Sequence, residues 1–209
     1  MNKVNIYKKA AEQGDVEAQC NLGLCYAEGE GVAKDMAEAV KWYRRAAAQG
    51  HANAQCMLGL LHDAGEGVAE DKAESVKWFR KAAAQGHAVA QCNLGLCHEA
   101  GEGVAEDKAK AVKWYRKAAE QGYDAAQNRL GLCYEAGEGV AKDKTEAMRW
   151  FRKAAAQGYA SAQYNLGLCY YYGNGCRKNR ITAARWLTTA VKNGHKGAKK
   201  FLDAMQSKV

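Results

Sequence analysis

No proline occurs in this chain of 209 residues, and only 9% of the residues are aromatic although 48% are hydrophobic. The apolar content is therefore mostly Ala, Leu and Val, which favours helices over strands. Without proline, the turns have to be made by the 22 glycines. This composition argues against a loop-rich or sandwich-type protein and favours an all-α fold.

Long apolar runs are also missing. No stretch approaches the roughly 18 consecutive apolar residues that a membrane span requires. Residues Met1–Lys9 lack the apolar core of a secretory signal. We therefore expect no membrane span, and the start of the chain favours a cytoplasmic location.

The usual catalytic and nucleotide-binding motifs are absent. The sequence contains no G-x-S-x-G, S-x-x-K, H-E-x-x-H or G-x-x-x-x-G-K-[ST] motif. Gly29-Glu30-Gly31 follows a predicted helix, so it is interpreted as a turn and not as a phosphate loop. Paired acids such as Glu70-Asp71 precede a helix, where negative charge favours a capping role. We therefore expect no enzymatic activity and no cofactor.

What the chain does contain is an internal repeat of 36 residues. One glycine and one tryptophan recur at this spacing, at Gly14, Gly50, Gly86, Gly122, Gly158 and Gly194 and at Trp42, Trp78, Trp114, Trp150 and Trp186. Such a period is typical of a solenoid whose repeats bury their apolar faces against each other. The sequence thus predicts one domain, 1–209, with repeats at 15–50, 51–86, 87–122, 123–158 and 159–194. Single capping helices are predicted at 1–14 and 195–209.

Each repeat contains two helices. Asp71 is predicted to cap the first, which ends at Gly86 and which we call a B helix. The second, an A helix, runs from about Ala88 to the turn at Gly101. On this A helix Leu94 and Gly95 share the side that packs against other helices. Glycine is unfavourable inside a helix, so Gly95 and its equivalents Gly23, Gly59, Gly131 and Gly167 predict close helix contacts.

A second leucine lies on the opposite side of each A helix. At 100° per residue, Leu96 points about 160° away from Leu94. In a two-layer solenoid one helix of each pair lines a concave surface, where these proteins bind their ligands. We therefore predict a groove for a peptide or helix of a partner protein. Its residues are Leu24, Leu60, Leu96, Leu132 and Leu168 with Cys92, Asn93, Asn128, Arg129, Tyr164, Asn165 and Tyr171. The alternative is that these leucines were inherited through recent duplication, or that the array was engineered, without a selected ligand.

The repeat resembles the Sel1-like repeat, a relative of the tetratricopeptide repeat. The matching residues run from Leu22 to Gly50, as Leu-Gly-Leu-Cys-Tyr-x-x-Gly-x-Gly-Val-x-x-Asp followed by x-x-Glu-Ala-x-x-Trp-Tyr-Arg-x-Ala-Ala-x-Gln-Gly. The 36-residue period and the missing proline exclude the plain 34-residue tetratricopeptide repeat. The resemblance implies a right-handed α/α superhelix and a scaffold or adaptor role.

The resemblance also implies an alternative function. Some cysteine-rich members of the family join their B and A helices by a disulfide and bind or hydrolyse β-lactams. The corresponding positions are Ala47 with Gln55 and Ala83 with Gln91, and none of them is a cysteine. A β-lactam-directed enzyme is therefore kept as the alternative to a non-enzymatic scaffold.

The eight cysteines are predicted to be reduced. Cys25, Cys97, Cys133 and Cys169 occupy the position of Leu61 and are interpreted as small buried hydrophobic residues. Cys169 and Cys176 are close enough in sequence to leave a pairing open. Reduced thiols again favour the cytoplasm. No four ligands stand at zinc spacings, and His98 replaces a tyrosine of other repeats, so no metal site is expected.

The net charge of +8 is concentrated at one end. Nine Lys or Arg and a single acid, Asp203, follow residue 176, whereas residues 1–176 contain 22 of each sign. A patch of Arg177, Lys178, Arg180, Arg185, Lys192, Lys196, Lys199 and Lys200 is predicted to suit an acidic partner, or else to keep a cap soluble. Nucleic acid is disfavoured because no aromatic platform accompanies the patch. A monomer is expected.

Overall fold

The computed structural model describes residues 3–206, which form twelve α-helices and no strand. The predicted all-α class of helix-turn-helix repeats is confirmed. The outermost residues of the predicted caps, 1, 2 and 207–209, lie outside the described residues. In chain order the helices are α1 Lys3–Glu12, α2 Val16–Glu28, α3 Met36–Ala48, α4 Ala52–Ala64, α5 Lys72–Ala84, α6 Ala88–Ala100, α7 Lys108–Glu120, α8 Asp124–Ala136, α9 Lys144–Ala156, α10 Ala160–Tyr172, α11 Arg180–Lys192 and α12 Lys196–Gln206. Even-numbered helices are A helices and odd-numbered helices are B helices.

The chain divides into two compact units. The N-terminal unit is Met1–Asp107 and the C-terminal unit is Lys108–Val209. Within each unit every helix contacts the next helix of the chain, and each A helix packs most closely against the B helix that follows it. The limits of the predicted domain and repeats stay a prediction, since compactness alone does not test them.

The ends of the helices follow the local sequence. The Asp71 carboxylate accepts the backbone N–H of Glu74 at 2.9 Å at the start of α5, which confirms the predicted cap. Asp35 and Asp143 cap α3 and α9 in the same way. The A helices end at a glycine in the left-handed region, such as Gly101 with φ +72°.

Glycines inside the A helices let the following B helix approach closely, as predicted. A Cβ atom on Gly59 would lie 2.5 Å from the ring of Phe79, and one on Gly131 would lie 2.6 Å from the ring of Phe151. Gly23 is similarly close to the ring of Tyr43. These rings are fully buried. Each glycine therefore provides the space for a large core side chain.

A ladder of glutamine side chains connects consecutive repeats, and the sequence analysis did not identify it. Gln55 Nε2 donates to the carbonyl oxygen of Ala47 at 3.2 Å, and Gln55 Oε1 accepts from Gln85 Nε2 at 2.8 Å. Gln85 Nε2 also donates to the carbonyl oxygen of Gly50 at 2.8 Å. Ala47 and Gln55 are the positions for which the family resemblance implied a disulfide in cysteine-rich members, and here a buried hydrogen bond joins them.

Replacing Gln55 with leucine is expected to lower the free energy of unfolding by about 1–3 kcal/mol, because both hydrogen bonds of the buried Gln55 amide are lost and each such bond contributes about 0.5–1.5 kcal/mol. Urea titration measures the loss. Gln13→Leu is the matched control: Gln13 is the counterpart of Gln49 and Gln85 in the first B helix, and its side chain is exposed. Equal losses in the two variants would contradict a role for the ladder.

Candidate functional site

The leucines predicted to face outward on the A helices are accessible to solvent. Leu24 is 39% exposed, whereas Leu22, two residues earlier, is 0% exposed. The other outward leucines, Leu60, Leu96, Leu132 and Leu168, are partly exposed, and their neighbours Leu58, Leu94, Leu130 and Leu166 are fully buried. We call this side of the A helices the leucine face. It presents partly exposed apolar side chains to water, although Leu132 also packs against the core of the C-terminal unit.

In the N-terminal unit the leucine face contains a pocket of about 270 Å³. Leu24 and Leu60 form part of its wall. The complete lining is Glu17, Cys20, Asn21, Leu24, Tyr43, Asn53, Cys56, Met57, Leu60, His87 and Val89. The apolar and thiol side chains make most of the wall, and the polar side chains come from the N-terminal halves of α2 and α4 and from His87, which caps α6. This is an apolar pocket with a polar edge, as binding pockets in proteins usually are.

The polar edge is held by hydrogen bonds between repeats. The His87 ring caps α6 by accepting the backbone N–H of Ala90 at Nδ1, so its Nε2 carries the proton and donates to Asn53 Oδ1 at 2.8 Å. Burial, together with the nearby His51, lowers the pKa of His87, which keeps the ring neutral at pH 7. His51 is placed in the same way, with its Nε2 3.0 Å from Glu17 Oε2. These hydrogen bonds orient both histidine rings at the edge of the pocket.

Tyr43 reaches the pocket from α3 and was not predicted as a site residue. The residue is 1% exposed, and its hydroxyl group has no hydrogen-bond partner among the described residues. Burial raises the pKa of this hydroxyl far above its usual range, so the group stays protonated and able to donate. Phe79 and Phe151 occupy the same position in α5 and α9. Tyr115 carries the same hydroxyl in α7, so the residue type alone did not mark Tyr43 as a site residue.

In the C-terminal unit the predicted groove residues Tyr164 and Tyr171 pack against the last helix. The Tyr164 ring stacks on the His195 ring with centroids 4.3 Å apart. Phe201 of α12 lies edge-on to Tyr171 at 5.2 Å and to Tyr164 at 6.3 Å. Tyr172 joins this aromatic cluster and is 52% exposed, which the sequence analysis missed.

The remaining predicted groove residues differ in accessibility. Cys92 and Asn128 are buried, at 5% and 6% exposure, and Asn93 is half-buried. Asn165 donates to Asn128 Oδ1 at 2.9 Å, while Arg129 is exposed. Leucines and Arg129 are therefore open to a partner, and Cys92 and Asn128 belong to the layer beneath them.

Comparison with known proteins identifies the repeat. The family model described as Sel1 repeat matches residues 4–15, 16–51, 52–87, 88–123, 124–159 and 160–195. The chain belongs to the Sel1 repeat family. Sel1 repeats are generally protein–protein interaction modules. A search of curated protein sequences finds no match.

Three solved structures share the fold of this chain to different extents. The c5321 protein, a protective antigen of uropathogenic Escherichia coli, is 41% identical with a TM-score of 0.88 over 94% of this chain. This chain spans only 42% of the length of that protein. A Sel1 repeat protein from Oxalobacter formigenes is 39% identical with a TM-score of 0.82, covering 90% of this chain and 75% of that one. Cysteine rich protein B of Helicobacter pylori is 25% identical with a TM-score of 0.50, covering 63% of this chain and 97% of that one.

The cysteines of this Sel1 chain form no disulfide. Cys25, Cys97, Cys133 and Cys169 are buried, which confirms their interpretation as small core residues. The pairing left open by the sequence does not occur: the Cys176 thiol lies 3.7 Å from the Cys169 carbonyl oxygen instead. Burial raises the pKa of Cys20 to about 11 and that of Cys56 to about 12.

We expect Cys176 to react first with a thiol reagent at pH 8. It is the one cysteine in the described chain that is not buried. A thiol of pKa about 12, such as Cys56, is ionised in only about one molecule in ten thousand at that pH. The folded protein should therefore release one equivalent from Ellman's reagent quickly and the rest only after unfolding. Cys176→Ala removes the fast phase, and a fast phase that survives in this variant would contradict the assignment.

The predicted basic patch is exposed to solvent along its whole length. Arg185 occupies the position of Arg149, but Thr182 stands where Glu146 pairs with Arg149 at 2.8 Å. Arg180 lies over the ring of Tyr171 at 5.6 Å. The binding of an acidic partner at this patch stays a prediction.

Within the described residues, no three His, Cys, Asp or Glu side chains are arranged to hold a metal ion. Likewise, none of the helices in the described part of the chain is both long and apolar enough to cross a bilayer.

Proposed function

We propose that this Sel1 protein is a non-enzymatic adaptor that binds a segment of a partner protein on its leucine face. The pocket between Leu24 and Leu60 is the observation that carries the proposal. Exposed apolar side chains around a preformed pocket are unfavourable in water and become favourable when a partner covers them. The general role of Sel1 repeats in protein–protein interaction supports the same interpretation.

The proposed contact residues differ between the units. In the N-terminal unit they are the pocket leucines together with Leu96 and Asn93. In the C-terminal unit they are Leu132, Leu168, Arg129 and Asn165, beside the aromatic cluster. The other predicted groove residues lie beneath or beside these contact residues: Cys92, Asn128, Tyr164 and Tyr171. Partner binding should therefore depend most on the leucines of the N-terminal unit.

The double variant Leu24→Glu, Leu60→Glu is expected to weaken partner binding at least a hundredfold, because two carboxylates would be buried in an apolar contact. Affinity capture from a lysate of the source cells, followed by titration of each captured protein, measures the loss. Ala33→Glu, Ala69→Glu is the matched control, since it adds the same charge at two exposed turn positions. Circular dichroism verifies that both variants fold.

A partner bound equally by wild type and by the leucine variant would refute the leucine face as the binding site. The enzymatic alternative is tested separately with a chromogenic β-lactam and a heat-inactivated control. Sustained turnover by the folded protein would overturn the non-enzymatic part of the proposal.

A further inference from the structure

We propose that the pocket of the N-terminal unit recognises a single tryptophan or tyrosine side chain carried by a basic segment of the partner. This inference rests on the proposed function and names the chemistry of its partner. Three observations carry it: the charge of the surrounding helices, the size and neighbours of the pocket, and the unpartnered Tyr43 hydroxyl.

The charge of the A helices sets the sign of the partner. Helices α2, α4 and α6 contain no Lys or Arg and four acids, whereas α3 and α5 contain seven Lys or Arg. Glu17 lies on the pocket wall with its side chain 72% exposed. Asp63 is paired with Lys72 at 3.1 Å, and Glu17 lies 3.0 Å from the His51 ring, which lacks the full charge of a Lys or Arg partner at pH 7. A basic segment is therefore electrostatically complementary to this side of the N-terminal unit.

The size of the pocket suits one aromatic side chain. A cavity of about 150 Å³ holds a benzene ring, and small-molecule sites usually begin near 300 Å³. The volume of about 270 Å³ falls between these values. The pocket exists because Cys20 and Cys56 are small: the residues at the same repeat positions in the C-terminal unit are Asn128 and Tyr164.

The C-terminal unit provides an internal precedent for the occupant. There the Tyr164 ring stacks on His195, and the counterpart of His195 in the N-terminal unit is His87 on the pocket wall. Cys56, in the place of Tyr164, leaves that aromatic position open. An aromatic ring supplied by the partner would stack on His87 as Tyr164 stacks on His195.

The Tyr43 hydroxyl determines which aromatic residues of a partner bind most tightly. Its buried hydroxyl has no partner in the described chain, and a buried hydroxyl without a hydrogen bond is unfavourable. The indole N–H of tryptophan or the hydroxyl of tyrosine would satisfy it, whereas phenylalanine would not. We therefore expect tryptophan and tyrosine to bind more tightly than phenylalanine.

The test uses a phage-displayed library of random twelve-residue peptides selected on the full chain, with a parallel selection on Cys56→Tyr. This substitution fills the pocket with the residue that the C-terminal unit already carries. Enriched peptides are synthesised, and their affinities for wild type and variants are measured by fluorescence polarisation. The proposal predicts basic peptides with one tryptophan or tyrosine, which bind Cys56→Tyr at least tenfold more weakly.

A double-mutant cycle tests the hydroxyl. Changing the aromatic residue of the peptide to phenylalanine should weaken binding to wild type about threefold to tenfold and leave binding to Tyr43→Phe nearly unchanged. Tyr26→Phe is the control variant, because it removes a hydroxyl elsewhere in the same unit. Tyr43→Phe should fold as well as wild type, since α5 and α9 carry phenylalanine at this position.

Four outcomes would overturn the inference. One is that the selected peptides are acidic or lack an aromatic residue. The second is that the selected peptides bind Cys56→Tyr as tightly as wild type but do not bind the double variant Leu24→Glu, Leu60→Glu. In that case this inference fails, but the proposed function is still supported. The third is that no peptide is selected, or that no variant affects binding, in which case the proposed function fails too. The fourth is a wild-type dimer in sedimentation that Cys56→Tyr dissociates, which would make a second copy the occupant.

Discussion

Replacing Gly103 with alanine is expected to lower the free energy of unfolding by about 2–5 kcal/mol. Gly103 lies in the turn after α6 with φ +65°, a conformation that L-amino acids avoid. A Cβ atom there would overlap the backbone carbonyl of Lys72 at the start of α5. Backbone atoms at a helix start cannot move aside as a flexible side chain can, so the turn and the helix would have to separate.

Gly86→Ala separates the two contributions to this loss. Gly86 also has a positive φ, +88°, but a Cβ atom there would meet nothing within 4 Å. Gly86→Ala should therefore lower the free energy of unfolding only by the conformational strain of about 1–2 kcal/mol. Urea unfolding of both variants measures the difference. If the two variants lose the same stability, the close contact between turn and helix contributes nothing.

Phe79→Ala is expected to lower the free energy of unfolding by about 3–5 kcal/mol, because a fully buried ring is replaced by a cavity. The ring fills the space that Gly59 leaves open on α4. A Cβ atom added to Gly59 would lie 2.5 Å from the Phe79 ring. The two positions should therefore be strongly coupled.

The coupling is measured with Gly59→Ala alone and in the Phe79→Ala background. Alone, the added methyl group should lower the free energy of unfolding by about 1–3 kcal/mol through overpacking. In the Phe79→Ala background it should have little effect or should stabilise, since alanine favours the helix and the ring is gone. If the losses of stability from Gly59→Ala and Phe79→Ala simply add in the double variant, the Phe79 ring does not occupy the space beside Gly59. Gly197→Ala, at an exposed position of α12, controls for helix propensity.

Much of the fold could be predicted from the sequence because each signal is local. The 36-residue period, the cap at Asp71 and the glycine after each helix set the helix ends without reference to distant residues. The angular positions of Leu94 and Leu96 predicted one buried and one accessible leucine. Both expectations depend only on helical geometry, which holds in every repeat.

The pocket could not be predicted in the same way. The pocket depends on the small side chains of Cys20 and Cys56. A position that lacks a large side chain leaves no periodic pattern in the sequence. The unpartnered hydroxyl of Tyr43 depends on its surroundings in three dimensions. The difference between Tyr43 and Phe79 at one repeat position was visible in the sequence, but nothing there indicated that Tyr43 lies on the wall of a pocket.

The glutamine ladder illustrates a signal that was present and was not used. Gln19, Gln55, Gln91, Gln127 and Gln163 recur with the repeat, yet a polar side chain on a helix is usually exposed. Their burial follows from the helix that precedes each of them, because a carbonyl at its last turn, such as that of Ala47, accepts the glutamine side chain as a second donor. A buried polar residue that recurs at the repeat spacing should therefore prompt a search for a partner in the neighbouring repeat.

The most direct measurement is site-specific photo-crosslinking of the intact chain in its source cells. A benzophenone amino acid is placed at position 60 on the leucine face or at position 69 in an exposed turn, and crosslinked peptides are identified by mass spectrometry. We expect position 60 to crosslink a basic segment of a specific protein and position 69 not to capture it. Crosslinking of the same partner from position 69 and none from position 60 would contradict binding on the leucine face.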